Sequence, residues 1–163
     1  MQLQPLTPAH WPQVRAIYEA GIATGNATFE TQAPEWDAWD RAHLPHSRLV
    51  ALDESGAVLG WVALSPVSSR LVYAGVAEES IYIAASARGQ GIGRHLLQAV
   101  IGASEANGIW MLQASTLEEN AASIALHERV GFRIVGYRER IAQRYGTWRN
   151  TVLLERRSAI VGS

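Results

Sequence analysis

Arg88-Gly89-Gln90-Gly91-Ile92-Gly93 is the stretch on which the fold turns. On its N-terminal side Ser80, Tyr82 and Ala84 alternate with Ile81 and Ile83, the period of a strand. On its C-terminal side Ile92, Leu96, Leu97, Val100 and Ile101 recur at helical spacing, predicting a helix from about Gly91 to Asn107. A glycine turn between strand and helix suits an anion. Glycine permits positive φ and close backbone approach. The helix N-terminus supplies unpaired N–H groups and a favourable dipole. Arg88 and Arg94 add charge-assisted donors for phosphate oxygens. Position argues against a dinucleotide site, which needs the motif early in a βαβ unit and an acidic residue about 20 residues later. Here the motif lies past the middle of the chain, and the following strand ends in Gln113-Ala114-Ser115.

The flanking segments complete the pattern. Thr7-Pro8 opens a helix, an N-cap hydroxyl followed by proline, and Trp11, Val14, Ile17, Tyr18 and Ile22 carry it to about Thr24. Pro34 and Glu35 open a short second helix that holds Trp36 and Trp39 and ends near Leu44-Pro45. Ser47 to Asp53 and Ala57 to Ser65 read as strands about a turn at Glu54-Ser55-Gly56, with Gly60 marking a bulge or close packing. Pro66 to Val76 has little pattern. Ile109 to Ala114 is apolar enough for a central strand. A helix begins at Glu118-Glu119-Asn120, carries Ile124, Leu126, His127 and Val130, and stops at Gly131. Phe132 to Tyr137 and Thr147 to Leu154 are the last strands, and the tail beyond Arg157 is expected to fray. Trp11 and Trp110 read as core. The order β-α-α-β-β-β-α-β-α-β-β predicts one α+β domain over residues 1–163 with a mixed sheet.

Composition limits the chemistry. A chain of 163 residues, 48% hydrophobic and 18% charged, suits one soluble domain that needs no staples. Cysteine is absent, and all 14 basic residues are arginine. That removes disulfides, thiolate nucleophiles, Schiff-base lysines and the phosphate-loop lysine. No metal site is expected. The net charge of −1 gives no electrostatic footprint for nucleic acid. No apolar run approaches the ~18 residues of a membrane span. Met1-Gln2-Leu3-Gln4-Pro5 lacks the pattern of a signal peptide, so a cytoplasmic location is expected.

Arg88-x-x-Gly91-x-Gly93, with strand before and helix after, resembles the acyl-CoA pyrophosphate loop of the GNAT acetyltransferase superfamily, and the element order resembles that fold over nearly the whole chain. The resemblance implies a mostly antiparallel central sheet of about six or seven strands with about four helices. It implies acetyl-CoA as co-substrate: the pantetheine arm along Ile81 to Ala84, the pyrophosphate on Gly89, Gln90, Gly91, Ile92, Gly93 and Arg94 beside Arg88, and Asn120 and Ser123 near the arm. Gly25-Asn26-Ala27-Thr28-Phe29-Glu30-Thr31, Glu78-Glu79-Ser80-Ile81-Tyr82, Ser123-Ile124-Ala125-Leu126-His127-Glu128, Gly131-Phe132 and Gly146-Thr147-Trp148 resemble the phosphinothricin and methionine sulfone (sulfoximine) N-acetyltransferase branch. The chain departs from that branch at Asn150, where Asp is usual, and at the small segment Ala74-Gly75-Val76-Ala77.

Acetylating an amine requires it to be neutral, hence a positioned base. The resemblance assigns that role to Glu78, expected just before the strand, and makes His127 a candidate proton donor to the departing thiolate. Packing on the inner face of its helix is an equal reading for His127. The Ile81 or Ile83 amide is a candidate oxyanion donor. Arg70 can form a bidentate pair with a substrate carboxylate; with Tyr73, Phe29, Glu30 and Glu78 it makes a candidate acceptor pocket. Trp148 is expected under the site or across a homodimer interface. The implied activity is direct acetyl transfer to the α-amino group of an amino-acid-like small molecule. Alternatives are protein N-termini, polyamines, or a non-catalytic acyl-CoA-binding module.

Overall fold

The computed structural model describes residues 1–162. Its elements are β1 (Gln2–Pro5), α1 (Trp11–Ala23), α2 (Trp36–Ala42), β2 (Leu49–Leu52), β3 (Val58–Pro66), β4 (Val76–Ile83), α3 (Ile92–Ala106), β5 (Met111–Leu117), α4 (Ala121–Arg129), β6 (Arg133–Arg144) and β7 (Thr147–Arg157). This is the predicted order. The seven strands form one sheet in the order β1-β2-β3-β4-β5-β7-β6. Every pairing is antiparallel except that of β4 with β5.

The two faces of the sheet follow from strand alternation. Val50, Leu52, Trp61 and Ala63 pack with Trp11, Val14, Ile17 and Trp39 of α1 and α2. Ala51, Val62 and Leu64 point the other way, onto Ile92, Leu96, Leu97, Val100 and Ile101 of α3. That helical stripe is buried as predicted. Truncating a fully buried residue such as Leu96 or Leu97 to alanine costs about 2–5 kcal/mol. Gly60 combines both expected features. The β2–β3 register slips beside it, and a Cβ there would meet Ile83 at 2.7 Å.

Several boundaries differ from the sequence pattern. The helix expected from Thr7 begins with a 3₁₀ turn at Pro8–His10 and becomes α-helical at Trp11. β4 begins at Val76 rather than Ser80, because its first residues are held on both sides by β3 and β5, and consecutive Glu78 and Glu79 mask the alternation. The loop before it contains a 3₁₀ turn at Leu71–Tyr73. β6 runs on to Arg144 past an irregularity between Arg138 and Ala142, where Arg140 has φ 50°. Trp110 is half-buried, not core, and a Cβ on Gly75 would meet its ring at 2.0 Å. The tail does not fray at Arg157. The Ser158 N–H donates to the Trp110 carbonyl at 2.8 Å, and the Arg157 guanidinium binds the carbonyls of Trp110 and Val161.

Candidate active site

β4 and β5 share three rungs, Val76–Met111, Ala77–Leu112 and Glu78–Gln113. Beyond them β4 continues to Ile83 on β3 and β5 continues to Leu117 on β7, but the two strands no longer pair. The sheet opens at its centre. A cavity of about 300 Å³ fills the opening, lined by Glu78 to Tyr82 of β4, Ser115 to Leu117 of β5, Ala27 to Glu30 of the α1–α2 loop, Thr151 of β7, and Asn120, Ser123 and His127 at α4.

The open edge of β4 carries unused backbone groups. The Ala84 N–H donates to the Leu59 carbonyl at 2.9 Å, which makes 59/84 a hydrogen-bonded antiparallel pair. Because such pairs alternate with non-bonded ones, Ile83 opposite Gly60 and Ile81 opposite Val62 turn their N–H and C=O groups toward the opening. Ala84, expected to line the same path, has its amide committed to β3.

The glycine turn stands at the far end of β4. Gly89 and Gly91 have φ of 74° and 79°, and a Cβ on Gly89 would meet nothing within 4 Å. Gly91 is the N-cap of α3. Among the described residues, the N–H groups of Gly89, Gln90, Gly91, Ile92, Gly93 and Arg94 find no acceptor. Six consecutive free donors on an open glycine turn, with exposed Arg88 and Arg94 beside them, fit a pyrophosphate. Gln90 turns its side chain back to the Ser86 carbonyl, 3.0 Å away. Gly93 lets α4 approach, since a Cβ there would meet Leu126 at 2.9 Å.

Glu78 lies inside β4, not before it. Gln113 Nε2 donates to its Oε2 at 2.7 Å. Glu79 points to the opposite face and is 6% exposed, in contact with the 1% exposed His127. The other ring nitrogen, Nδ1, is 2.6 Å from the Ser123 carbonyl oxygen. Burial alone lowers the His127 pKa; the Glu79 charge and hydrogen bond, with the Ser123 carbonyl, outweigh it, so the ring holds its proton above the ordinary histidine range. Tyr82 stacks on Trp61 and packs on Tyr18. Burial pushes the Tyr18 hydroxyl up to about 12 and raises that of Tyr82 as well, so neither serves as a base at neutral pH.

Phe29 and Glu30 line the cavity. Asn120 caps α4, its Oδ1 accepting from the Ser123 N–H at 3.2 Å, and it also donates to the Asn26 carbonyl at 3.3 Å. Arg70 and Tyr73 do not line the cavity: the guanidinium lies over the Tyr73 ring at 5.4 Å on an exposed loop. Three contributors were not anticipated. Glu79 hid behind its neighbour and Gln113 within an apolar strand. Arg144 is 6% exposed and donates to the carbonyls of Thr28 and Ile22, fixing the cavity's loop from the distant β6. Beyond that loop lies an open depression of about 900 Å³ lined by Arg144, Arg149 and the 47% exposed Trp148. Among the described residues no cluster of three acidic or histidine side chains is set to hold a metal, and no helix is long and apolar enough to cross a membrane.

Comparison with known proteins agrees with this geometry. The profile of the Acetyltransferase (GNAT) family matches residues 11–132. The L-methionine sulfoximine/L-methionine sulfone acetyltransferase of Pseudomonas aeruginosa is 32% identical over 152 residues, covering 90% of this chain and 88% of that one. The phosphinothricin N-acetyltransferase of Alcaligenes faecalis is 35% identical over 155 residues, covering 89% and 76%. A crystal structure of a GNAT superfamily phosphinothricin acetyltransferase from Sinorhizobium meliloti in complex with AcCoA superposes with a TM-score of 0.89 at 29% identity, covering 99% and 90%. This chain belongs to the GNAT acetyltransferase family, as an acetyl-CoA-dependent N-acetyltransferase resembling its phosphinothricin and methionine sulfoximine branch.

Proposed function

We propose that this enzyme transfers the acetyl group of acetyl-CoA directly to the α-amino group of an amino-acid-like small molecule of the phosphinothricin or methionine sulfone and sulfoximine type. The observation that carries the reading is the Glu78 carboxylate, fixed by Gln113 where the sheet opens. It shares that cavity with Phe29 and Glu30 of the acceptor loop. The names of the relatives support the substrate class.

In this reading Gly89 to Arg94 hold the pyrophosphate through their free N–H groups, with Arg88 adding charge. Ile81 and Ile83 hold the pantetheine arm as a strand would, and one of their amides receives the oxyanion. Ala84 contributes only contact. Asn120 and Ser123 form the wall at the N-terminus of α4. Glu78 takes a proton from the amine as the C–N bond forms, and His127 returns one to sulfur as the C–S bond breaks. Both substrates are bound at once, and no residue is acetylated. Arg70 and Tyr73 remain proposed carboxylate contacts, which requires their loop to fold toward the opening. One domain spanning residues 1–163 suffices. A cytoplasmic homodimer joined through the exposed hairpin residues Tyr137, Tyr145 and Trp148 completes the proposal.

A second reading has its own observation. Glu30 and Glu78 line the cavity with no basic side chain paired to them, Glu79 faces His127, and no arginine lines the cavity. That charge suits a polyamine. A free-CoA release assay decides between the two. Amino acids and their sulfone, sulfoximine and phosphinate analogues are compared with polyamines and N-terminal peptides. Turnover of the zwitterions supports the first reading, and turnover restricted to polyamines replaces it.

A further inference from the structure

Two consecutive glutamates line the cavity, and the reaction as described uses only Glu78. Glu79 is the more deeply buried, with a side chain 3% exposed against His127 at 1%. Its Oε1 faces His127 Nε2, and its Oε2 is buried without a donor among the described residues. The charge of this carboxylate is therefore directed at one partner, the imidazole.

The geometry also counts protons. His127 Nδ1 lies 2.6 Å from the Ser123 carbonyl oxygen, one helical turn earlier. A carbonyl oxygen only accepts, so Nδ1 carries a hydrogen. A neutral ring would then present a bare lone pair at Nε2 to a carboxylate oxygen. A second proton between Nε2 and Oε1 removes that repulsion and makes a charge-assisted hydrogen bond in a dry site. Phe132 packs edge-on against the ring at 5.1 Å and excludes water from that side. The other titratable groups at the cavity are Glu30 from the α1–α2 loop, and Glu78 and Tyr82 from β4. β5, β7 and α4 add only hydroxyl, amide and apolar side chains besides His127 itself. The carboxylates among these groups favour a cationic ring, and no other basic side chain lines the cavity to oppose it.

We propose that Glu79 is a positioning residue of the transfer reaction, keeping His127 oriented and loaded with the proton that the departing sulfur takes. This rests on the reading of His127 as the acid. When the C–S bond breaks, its electron pair stays with sulfur. Sulfur takes the proton held by the pair, leaving a neutral imidazole beside a carboxylate. The amine gives one proton to Glu78 as the C–N bond forms. Glu78 releases that proton to solvent, and solvent reloads His127. Over one turnover a neutral amine and a thioester become an amide and a thiol, with no net proton change.

The test reads the ring directly. ¹H–¹⁵N spectra of the imidazoles are followed from about pH 6 to 9, with His127 assigned by its loss in His127→Gln. Wild type is expected to show a doubly protonated His127 at about pH 7.5, and Glu79→Gln a singly protonated one. In Glu79→Gln, kcat is expected to fall about tenfold or more at that pH. It should recover as the pH is lowered, with the KM for acetyl-CoA within about twofold of wild type. Glu79→Asp should restore part of the loss, which a purely structural role would not predict for a shorter side chain in a packed site. A singly protonated wild-type His127 overturns the proposal, and that outcome needs no variant to fold. So does a Glu79→Gln enzyme with the wild-type pH profile. A doubly protonated His127 whose replacement by glutamine leaves kcat intact overturns the acid role of the ring, and with it this assignment. Identifying a different acceptor amine would change the substrate reading while leaving the state of the ring as found.

Discussion

Gln113 donates to Glu78 across 2.7 Å on the last rung that β4 and β5 share. The donor is on one strand and the proposed base on the other, so the carboxylate is aimed by the rung itself. Glu78→Gln is expected to lower kcat by about 10²- to 10⁴-fold, with acetyl-CoA affinity by calorimetry nearly unchanged. Gln113→Leu removes the aim and keeps the base, and kcat should fall by about 10- to 100-fold. Equal losses in turnover and acetyl-CoA affinity would refute the role of Glu78 as base.

Gly91 caps α3 with φ 79°, in the left-handed region that a Cβ makes unfavourable. Gly91→Ala should cost about 1–2 kcal/mol, seen as a melting temperature lower by roughly 2–8 °C. The same change reorients the first amides of α3. The KM for acetyl-CoA should therefore rise while that for the acceptor amine stays put, which two-substrate kinetics would show.

Arg144 reaches from β6 to the carbonyls of Thr28 and Ile22, the latter at 2.5 Å. Arg144→Met leaves both carbonyls without this donor, a loss of about 2 kcal/mol. Thermal denaturation should register it. Because Thr28 adjoins Phe29 and Glu30, the acceptor KM is expected to rise several-fold and that of acetyl-CoA to hold. An unchanged acceptor KM would show that the loop keeps its shape without this anchor.

Partly or wholly buried histidines bend stability with pH in opposite directions, His43 and His46 one way and His127 the other. Burial lowers the His43 pKa against the bond of its ring to the Trp39 carbonyl. Its unfolded form binds protons first, so stability falls as pH drops from the ordinary value through the lowered one. His127 is raised, so its contribution is complete below the ordinary histidine value and is lost as pH climbs through the raised one. Denaturant midpoints measured from about pH 5 to 9 should peak between these limbs. His43→Gln should flatten the acid limb and Glu79→Gln the alkaline one.

Legibility followed the range of the interactions. The Ile92–Ile101 stripe and the glycine turn are local, and both stand where the sequence puts them. Phe29 and Glu30 of the α1–α2 loop line the cavity. Arg70 does not, because the fold of an aperiodic loop is set by packing that spacing does not encode. In the sequence nothing sets Glu79 apart from its neighbour Glu78. Only the approach of α4, 48 residues later in the chain, makes it the partner of a buried histidine. Arg144 was invisible for the same reason, since its bonds to Thr28 and Ile22 span 116 and 122 residues.

The single parallel seam has a mechanical consequence. β1 to β4 lie side by side in chain order, β5, β7 and β6 follow in that spatial order, each set is antiparallel throughout, and three rungs join the two halves. Load applied across the sheet meets its fewest backbone rungs at that seam. The line of fewest backbone rungs and the candidate site coincide. The apolar core under α3 bridges that seam, joining Val62, Leu64 and Ala77 to Leu112, Ala114 and Leu154, so side-chain packing holds together what few backbone bonds join.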